Sequence, residues 1–262
     1  MPQFYKMLAN DLWHNEFKYQ EGLNVDTMPF NPSGFCDPGG LYYTTLEYLA
    51  VHHNMHWHLI ADVEVPDDAR VYAEPCGTKW KADRIILHNI RPLNEFLSTL
   101  DQATVCLMVA RKGTLLSYVD NQTEEICLAA VNRYGCALQF VKNQTEAVCL
   151  AAVRQDGLAL QFVNHPTDAV NLAAVQQNGY AIRDVPRKTH ALSLAAVQQN
   201  PFVVYWIRDQ TEEICLAAVQ RDGRALEHVR HPTEAVCRAA VAQNSNAKVF
   251  CHHILQNSGG TP

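Results

Sequence analysis

The pattern of apolar and polar positions changes character about a third of the way along the chain. Up to residue 90, short apolar runs alternate with turn residues. Phe4 to Leu8, Phe17 to Tyr19, Leu41 to Thr44, Leu59 to Val65 and Arg70 to Ala73 predict strands. Thr45 to His53 (TLEYLAVHH) predicts a helix with Thr45 as its cap. Asn31 to Gly40 (NPSGFCDPGG) predicts a turn-rich loop, and Val65-Pro66-Asp67-Asp68 a tight turn between two strands. Lys81 to Leu87 closes the segment. Residues 1–90 therefore read as a small α+β module.

Beyond it one pattern recurs every 22 residues. Asn121 to Lys142 (NQTEEICLAAVNRYGCALQFVK) returns almost unchanged from Asn143 as NQTEAVCLAAVRQDGLALQFVN. Thr123, Thr145, Thr167, Thr189, Thr211 and Thr233 fall on one grid. Gly113, Gly135, Gly157, Gly179 and Gly223 fall on another, with Pro201 and Ser245 in its remaining slots. A fixed period repeated this often marks a repeat architecture. In the unit that starts at Asn121, Thr123 is a helix N-cap, and Glu124 and Glu125 after it meet the positive end of the helix dipole. Ile126 to Val131 is apolar on every side, which predicts a helix covered all round. The Gly is expected as a left-handed helix stop, and Cys136 to Val141 as a second, shorter helix.

Helices of about ten and seven residues are too short to stand alone in water, so they must stack. The expected fold is an α+β N-terminal module followed by an α-solenoid of short two-helix repeats. Its parts are residues 1–90, then 91–255 as a half-repeat plus seven 22-residue helical hairpins, then a tail at 256–262. Residues 91–102 supply the half-repeat, because Phe96 and Leu97 sit 22 before Tyr118 and Val119. Arg238 and Lys248 stand at normally apolar positions and mark a terminal repeat facing water. Lipid-binding amphipathic 22-residue repeats are the competing reading. The cap and stop inside each unit, and the lack of Lys or Arg flanking an apolar face, argue against it.

Composition narrows the partners. The chain has 262 residues, 48% of them hydrophobic, and a net charge of −6. Residues 1–100 hold 7 Lys+Arg against 13 Asp+Glu, and the remainder holds 14 of each. Neither part has the basic excess that a phosphate backbone requires, so no nucleic-acid partner is expected. No apolar run approaches the ~20 residues that span a bilayer, so no membrane partner is expected either. The N-terminus lacks a signal-peptide layout. With nine cysteines, this predicts a reducing, cytoplasmic setting. Cys127, Cys149, Cys215 and Cys237 share one repeat slot with Asn171 and Ser193, which asks for a small buried residue.

The repeats, with QTEEICLAAV, a Gly and then ALQFV, resemble a family of short helical repeats of unknown function from giant DNA viruses and some intracellular bacteria. EGLNVD (21–26), PGGLYYT (38–44), VEVPDDARVY (63–72) and KADRIIL (81–87) resemble a module of mimivirus-like proteins that also precedes ankyrin repeats. The resemblance implies a viral adaptor or a virion component, in host cytoplasm or particle. It brings no catalytic residue.

The chemistry-bearing clusters are few. His52, His53, His56 and His58 lie close in sequence, with His52 and His56 at ligand spacing, and Cys36 or Cys76 could add a thiolate. No tetrahedral set is evident, and neither a metal nor a cofactor is expected. A Cys36/His nucleophile pair is a second possibility. Gly39-Gly40 leads into a strand and is no phosphate loop. The GLYYT strand loosely resembles ADP-ribosyltransferase-like folds, for which Tyr42, Tyr43 and Glu74 would matter; an enzyme in the module stays open as an alternative. The repeats are more informative where they break. Asp184 alone is acidic in an aromatic slot, flanked by Arg183, Arg187 and Lys188, and the next repeat carries Pro201, Tyr205 and Trp206. Arg183, Asp184, Arg187, Lys188, Tyr205 and Trp206 are the candidate partner-binding residues, since Arg and aromatics are common interface anchors. Drift with a local kink at Pro201 is the alternative. The leading functional expectation is a non-enzymatic scaffold for a protein partner, host or viral. Neither that partner nor the oligomeric state is legible.

Overall fold

The computed structural model describes residues 3–14, 16–33 and 37–251. Cys36 and the 256–262 tail lie outside the described residues. The chain divides into two compact units, Met1–Ala130 and Val131–Pro262.

The first unit is built on strands β1 (Phe4–Ala9), β2 (Trp13–His14), β3 (Phe17–Lys18), β4 (Gly22–Val25), β5 (Leu41–Thr45), β6 (Trp57–Glu64), β7 (Val71–Ala73), β8 (Trp80–Ala82) and β9 (Arg84–Pro92). Seven of them form one sheet in the order β4-β9-β6-β1-β5-β8-β7, and every pairing is antiparallel. β2 and β3 form a separate hairpin. One sheet face packs Leu8, Tyr19, Leu41, Tyr43, Val63, Ile85 and Leu87 into a core. α1 (Leu46–His52) and α2 (Leu93–Ser98) pack against the strands and bury Leu49, Leu93, Phe96 and Leu97.

The predicted strands correspond to β1, β3, β5, β6 and β7. β4 was hidden because its polarity is inverted. Leu23 and Val25 point to solvent, while Asn24 is buried and satisfies Gln20 and Gly22 through its amide. Pro66 does anchor a turn, accepting from the Ala69 N–H at 2.9 Å, but the strands on either side of it do not pair with each other. Thr45 makes no side-chain cap bond; it ends β5 opposite Phe4. The half-repeat segment is α-helical, as α2. α3 (Gln102–Arg111) and α4 (Glu124–Val131) follow, with a 3-10 helix at Gly113–Tyr118 between them.

In the second unit, α5 (Glu146–Gln155), α6 (Asp168–Gln177), α7 (His190–Gln199), α8 (Glu212–Arg221) and α9 (Glu234–Gln243) alternate with short helices. Successive α-helices from α5 to α9 pack on one another. The Thr caps form as expected: Thr145, Thr167, Thr189, Thr211 and Thr233 each accept from the backbone N–H three residues on. The covering all round does not. Val148, Cys149, Ala152 and Val153 are buried, but Leu150 and Ala151 are only half-buried, and Leu172 is exposed. One stripe of each helix is open.

One expectation is sharpened and another corrected. The second, shorter helix of each repeat is present, wound as a 3-10 helix, as in Gly135–Phe140, Gly157–Phe162, Gly179–Asp184, Pro201–Trp206 and Gly223–His228. The repeat glycines are not left-handed; positive φ among described glycines is confined to Gly22, Gly39, Gly40 and Gly77. Their requirement is space. A Cβ on Gly157 would lie 2.5 Å from the Ala174 carbonyl oxygen of the next repeat. The same glycine donates its N–H to Gln177 Oε1 at 2.6 Å. Gly135 with Gln155, Gly179 with Gln199 and Gly223 with Gln243 repeat the arrangement. Before these turns, Asp156, Asn178, Asn200, Asp222 and Asn244 cap the 3-10 helix by accepting from the N–H two residues on.

Candidate functional site

The 3-10 turns present their solvent-facing side chains side by side, and the candidate surface is built there. In Gly179–Asp184 the buried positions are Gly179, Ala181 and Ile182, which leaves Tyr180, Arg183 and Asp184 facing out. In Pro201–Trp206 the same geometry turns out Phe202, Tyr205 and Trp206. Tyr205 is 59% exposed. The Trp206 ring meets Tyr180 edge-on at 5.4 Å and Tyr205 edge-on at 5.3 Å. His228 continues the row, 5.7 Å from Tyr205 and 6.2 Å from Phe202. The Arg224 guanidinium lies 5.5 Å from the Phe202 ring. Such edge-to-face contacts hold the rings in fixed orientations, so little side-chain freedom remains to be lost on binding.

The charged candidates surround this row. Arg183 donates from Nε and Nη2 to the two Asp184 oxygens at 3.1 and 3.2 Å. The charge that stands in the aromatic slot is thus paired and in contact with water, as its cost of burial requires. Arg187 is exposed, and Lys188 Nζ donates to the Val185 carbonyl at 3.1 Å. Pro201 introduces no kink. Asn200 before it has φ −143° and ψ 111°, against −147° and 112° for Asn178 in the preceding repeat. Proline fits the first position of a helical turn, where Gly135, Gly157, Gly179 and Gly223 use an N–H to meet a glutamine. The residue twenty positions after Pro201 is Arg221, not Gln.

Tyr180, Phe202, Arg224 and His228 belong to the surface and were not among the sequence candidates. For Tyr180, Phe202 and His228 the signal was a 26-residue spacing that joins the position after the Gly slot to the end of the next turn, Tyr180 with Trp206 and Phe202 with His228, whereas Arg224 meets Phe202 at the 22-residue period itself. Comparing like slots with like conceals the longer spacing.

In the first unit the imidazoles of His52, His56 and His58 do not share a ligand position. His52 Nε2 lies 3.1 Å from Thr78 Oγ1, His58 Nδ1 lies 2.8 Å from the Tyr118 hydroxyl, and His56 is exposed. Among the described residues, no group of three His, Cys, Asp or Glu is placed to hold a metal ion. Cys76 Sγ lies 3.1 Å from Thr78 Oγ1. Tyr43 is in the core, and the Glu74 side chain is fully buried, 3.5 Å from Lys79 Nζ. A transferase glutamate must touch its substrate, and this one has no exposed surface. The described cysteines are free thiols, and the shared slot buries Cys127, Cys149, Cys215 and Cys237 as expected. No helix among the described residues is long and apolar enough to cross a membrane.

The class of protein these features define is an antiparallel sheet region followed by helical repeats. A stretch of the chain is similar to a protein of Acanthamoeba polyphaga mimivirus that carries the name of an ankyrin repeat protein, 31% identical over 102 residues. The match takes in 35% of this chain and spans about half, 48%, of that relative. The likeness points to a giant-virus origin. No known protein family matches the chain, and no solved structure matches it.

Proposed function

We propose that the chain is a non-enzymatic adaptor that binds a protein partner, host or viral, through the aromatic and arginine surface of its repeats. On this reading residues 91–255 form an α-solenoid, residues 1–90 are the module shared with the mimivirus protein, and the setting is host cytoplasm or virion. Packing of each α-helix on the next, from α5 on α6 to α8 on α9, supports the solenoid. The share of the chain that matches the relative, 35%, is about that of residues 1–90. The relative's ankyrin name agrees with a binding role. Ankyrin repeats have a period of about 33 residues, so the 22-residue repeats here would be a different binding element joined to a common module.

The observation that carries the reading is the row Tyr180, Trp206, Tyr205 and His228, which is locked edge to face yet open to solvent. Preset aromatic anchors beside arginines are what interface centres are made of. The test is quantitative affinity capture from infected cells with the wild-type chain and with a Tyr205→Ala, Trp206→Ala variant. A specific partner should be lost by about 30-fold, equivalent to about 2 kcal/mol, while the circular dichroism spectrum holds. An identical set of captured proteins at identical yield would overturn the assignment.

A further inference from the structure

The sheet of the first unit contains a fissure. β1 stays paired to β6 along its length, but it pairs with β5 only through Phe4 opposite Thr45 and Tyr5 opposite Thr44. From Lys6 onward the two strands part, and a cleft of about 600 Å³ opens between them. That is within the usual range for small-molecule sites. Met7, Leu49, Met55, Tyr43 and Trp57 give it apolar and aromatic walls. Its ionisable nitrogens are Lys6, Lys79, Lys112, His14, His52 and His53, and among the described lining residues none is Asp or Glu. Glu74 sits behind Lys79 with its side chain fully buried.

Two of these groups are built into the interior. Lys6 is 4% exposed; its Nζ donates to the Tyr42 carbonyl at 2.8 Å and lies 4.2 Å from the Tyr19 ring centroid. Burial pushes its pKa down to about 7. His53 is also 4% exposed, and neither of its ring nitrogens has a hydrogen-bond partner. Its ring is fixed edge-on against Tyr118, 5.4 Å away. Burial, then Lys112 and His58, push His53 down to about 4, while burial, then Lys6 and Lys79, do the same to His14. Burial is the larger cause in both imidazoles and by itself favours no ion; the lysine contribution that adds to it is what would attract an anion. A buried donor left unmatched in such a field calls for an acceptor.

We propose that this cleft binds a small organic anion with a planar aromatic body, its charge facing the lysines and an acceptor atom taking the unmatched His53 N–H. Phosphate monoesters and carboxylates share this chemistry, and their relative affinities separate them. The site is independent of the repeat surface, so either assignment stands or falls alone.

The experiment is calorimetric titration of the full chain with 2-naphthyl phosphate, 2-naphthoate and the uncharged 2-naphthylmethanol. At least one anion should bind ten-fold or more tightly than the alcohol, and the tighter of the two names the head group. Lys6→Met should weaken that anion at least ten-fold. His53→Phe keeps the ring against Tyr118 and should weaken it several-fold. Lys112→Met changes a residue outside the packed sheet, and keeps the test decisive if Lys6→Met fails to fold. No binding, equal affinity for alcohol and anions, or anion binding unchanged in the folded variants would each overturn the proposal.

Discussion

Replacing Gly157 with alanine should destabilise the repeat unit, although the backbone there suits any residue. In an unhindered helical turn, exchanging Gly for Ala stabilises by about 0.4–1 kcal/mol through the unfolded chain. Here the new Cβ would lie 2.5 Å from the Ala174 carbonyl, 2.8 Å from Gln177 Oε1 and 2.9 Å from Asn178 Cβ. The first and last belong to or adjoin the backbone at the end of α6, so the obstacle cannot rotate away. Relief needs the turn to draw back by the better part of an ångström, which also breaks the 2.6 Å bond from the Gly157 N–H to Gln177. Overpacking costs roughly 1–3 kcal/mol and the lost bond about 1, against the entropic gain of under 1. The net expectation is a loss of about 1–3.5 kcal/mol. Urea unfolding followed by circular dichroism measures it. Amide exchange at Gly157 and Leu158 shows whether the loss is local, as a repeat unit need not unfold in one step. Gly157→Asn discriminates between causes. Asparagine tolerates a left-handed conformation, so it would rescue a helix stop, but it carries the same Cβ and should be no better than alanine. An alanine variant as stable as wild type, or an asparagine variant well above alanine, would refute the close-approach account.

Asn171→Cys should stabilise the chain by about 1–2 kcal/mol, because Asn171 Oδ1 is buried without a partner in a slot where cysteine is at home; an unchanged or lower urea midpoint would count against this. Stability should fall as pH drops from about 6.5 to 4. His14 and His53 have folded pKa values of about 4, so the unfolded chain takes up more protons in that window. His53→Phe should reduce the acid loss by about 2 kcal/mol in urea melts at pH 6.5 and 4.5, and equal losses in both proteins would remove His53 as the cause.

The repeat was legible because its signals are local and redundant. A Thr at the start of an apolar run caps a helix wherever it stands, and the caps at Thr145, Thr167, Thr189, Thr211 and Thr233 form even where, as at Thr189, no acidic residue follows. What was misread depends on the neighbouring repeat. The glycine looked like a helix stop because left-handed backbone is the commonest demand for that residue, whereas the demand here comes from a carbonyl seventeen residues ahead. The 3-10 helix has the length and apolar content of a short α-helix, so the apolar pattern does not separate the two windings. In the first unit the hidden features were those whose polarity runs against the usual rule. Asn24 faces inward on β4, and Lys6 is buried on β1 among apolar neighbours. An alternation pattern scores both as breaks. The candidate surface was partly visible, since Tyr205, Trp206 and Arg183 are departures from the consensus, but its cross-repeat members obey a different spacing.

The bond between the Gly-slot N–H and the glutamine twenty residues later also bears on how such a chain can change its length by recombination. The two halves of each lock sit in different repeats, so a 22-residue segment gained or lost in register keeps the lock only where it brings a donor to a matching acceptor, which the Gly113 slot, with Arg133 twenty residues on, does not. Most of the described array meets that condition, because Gly135, Gly157, Gly179 and Gly223 all face a glutamine. Pro201 and Arg221 form an unlike pair, with no N–H on one side and no acceptor on the other. Excising residues 200–221 in register would keep Gly179 with Gln199 and carry the unlike pair away whole. Excising residues 180–201 would set the Gly179 N–H against Arg221, donor against donor. The array is therefore not uniformly interchangeable, and the Pro201 repeat is a seam that constrains where copies can be exchanged.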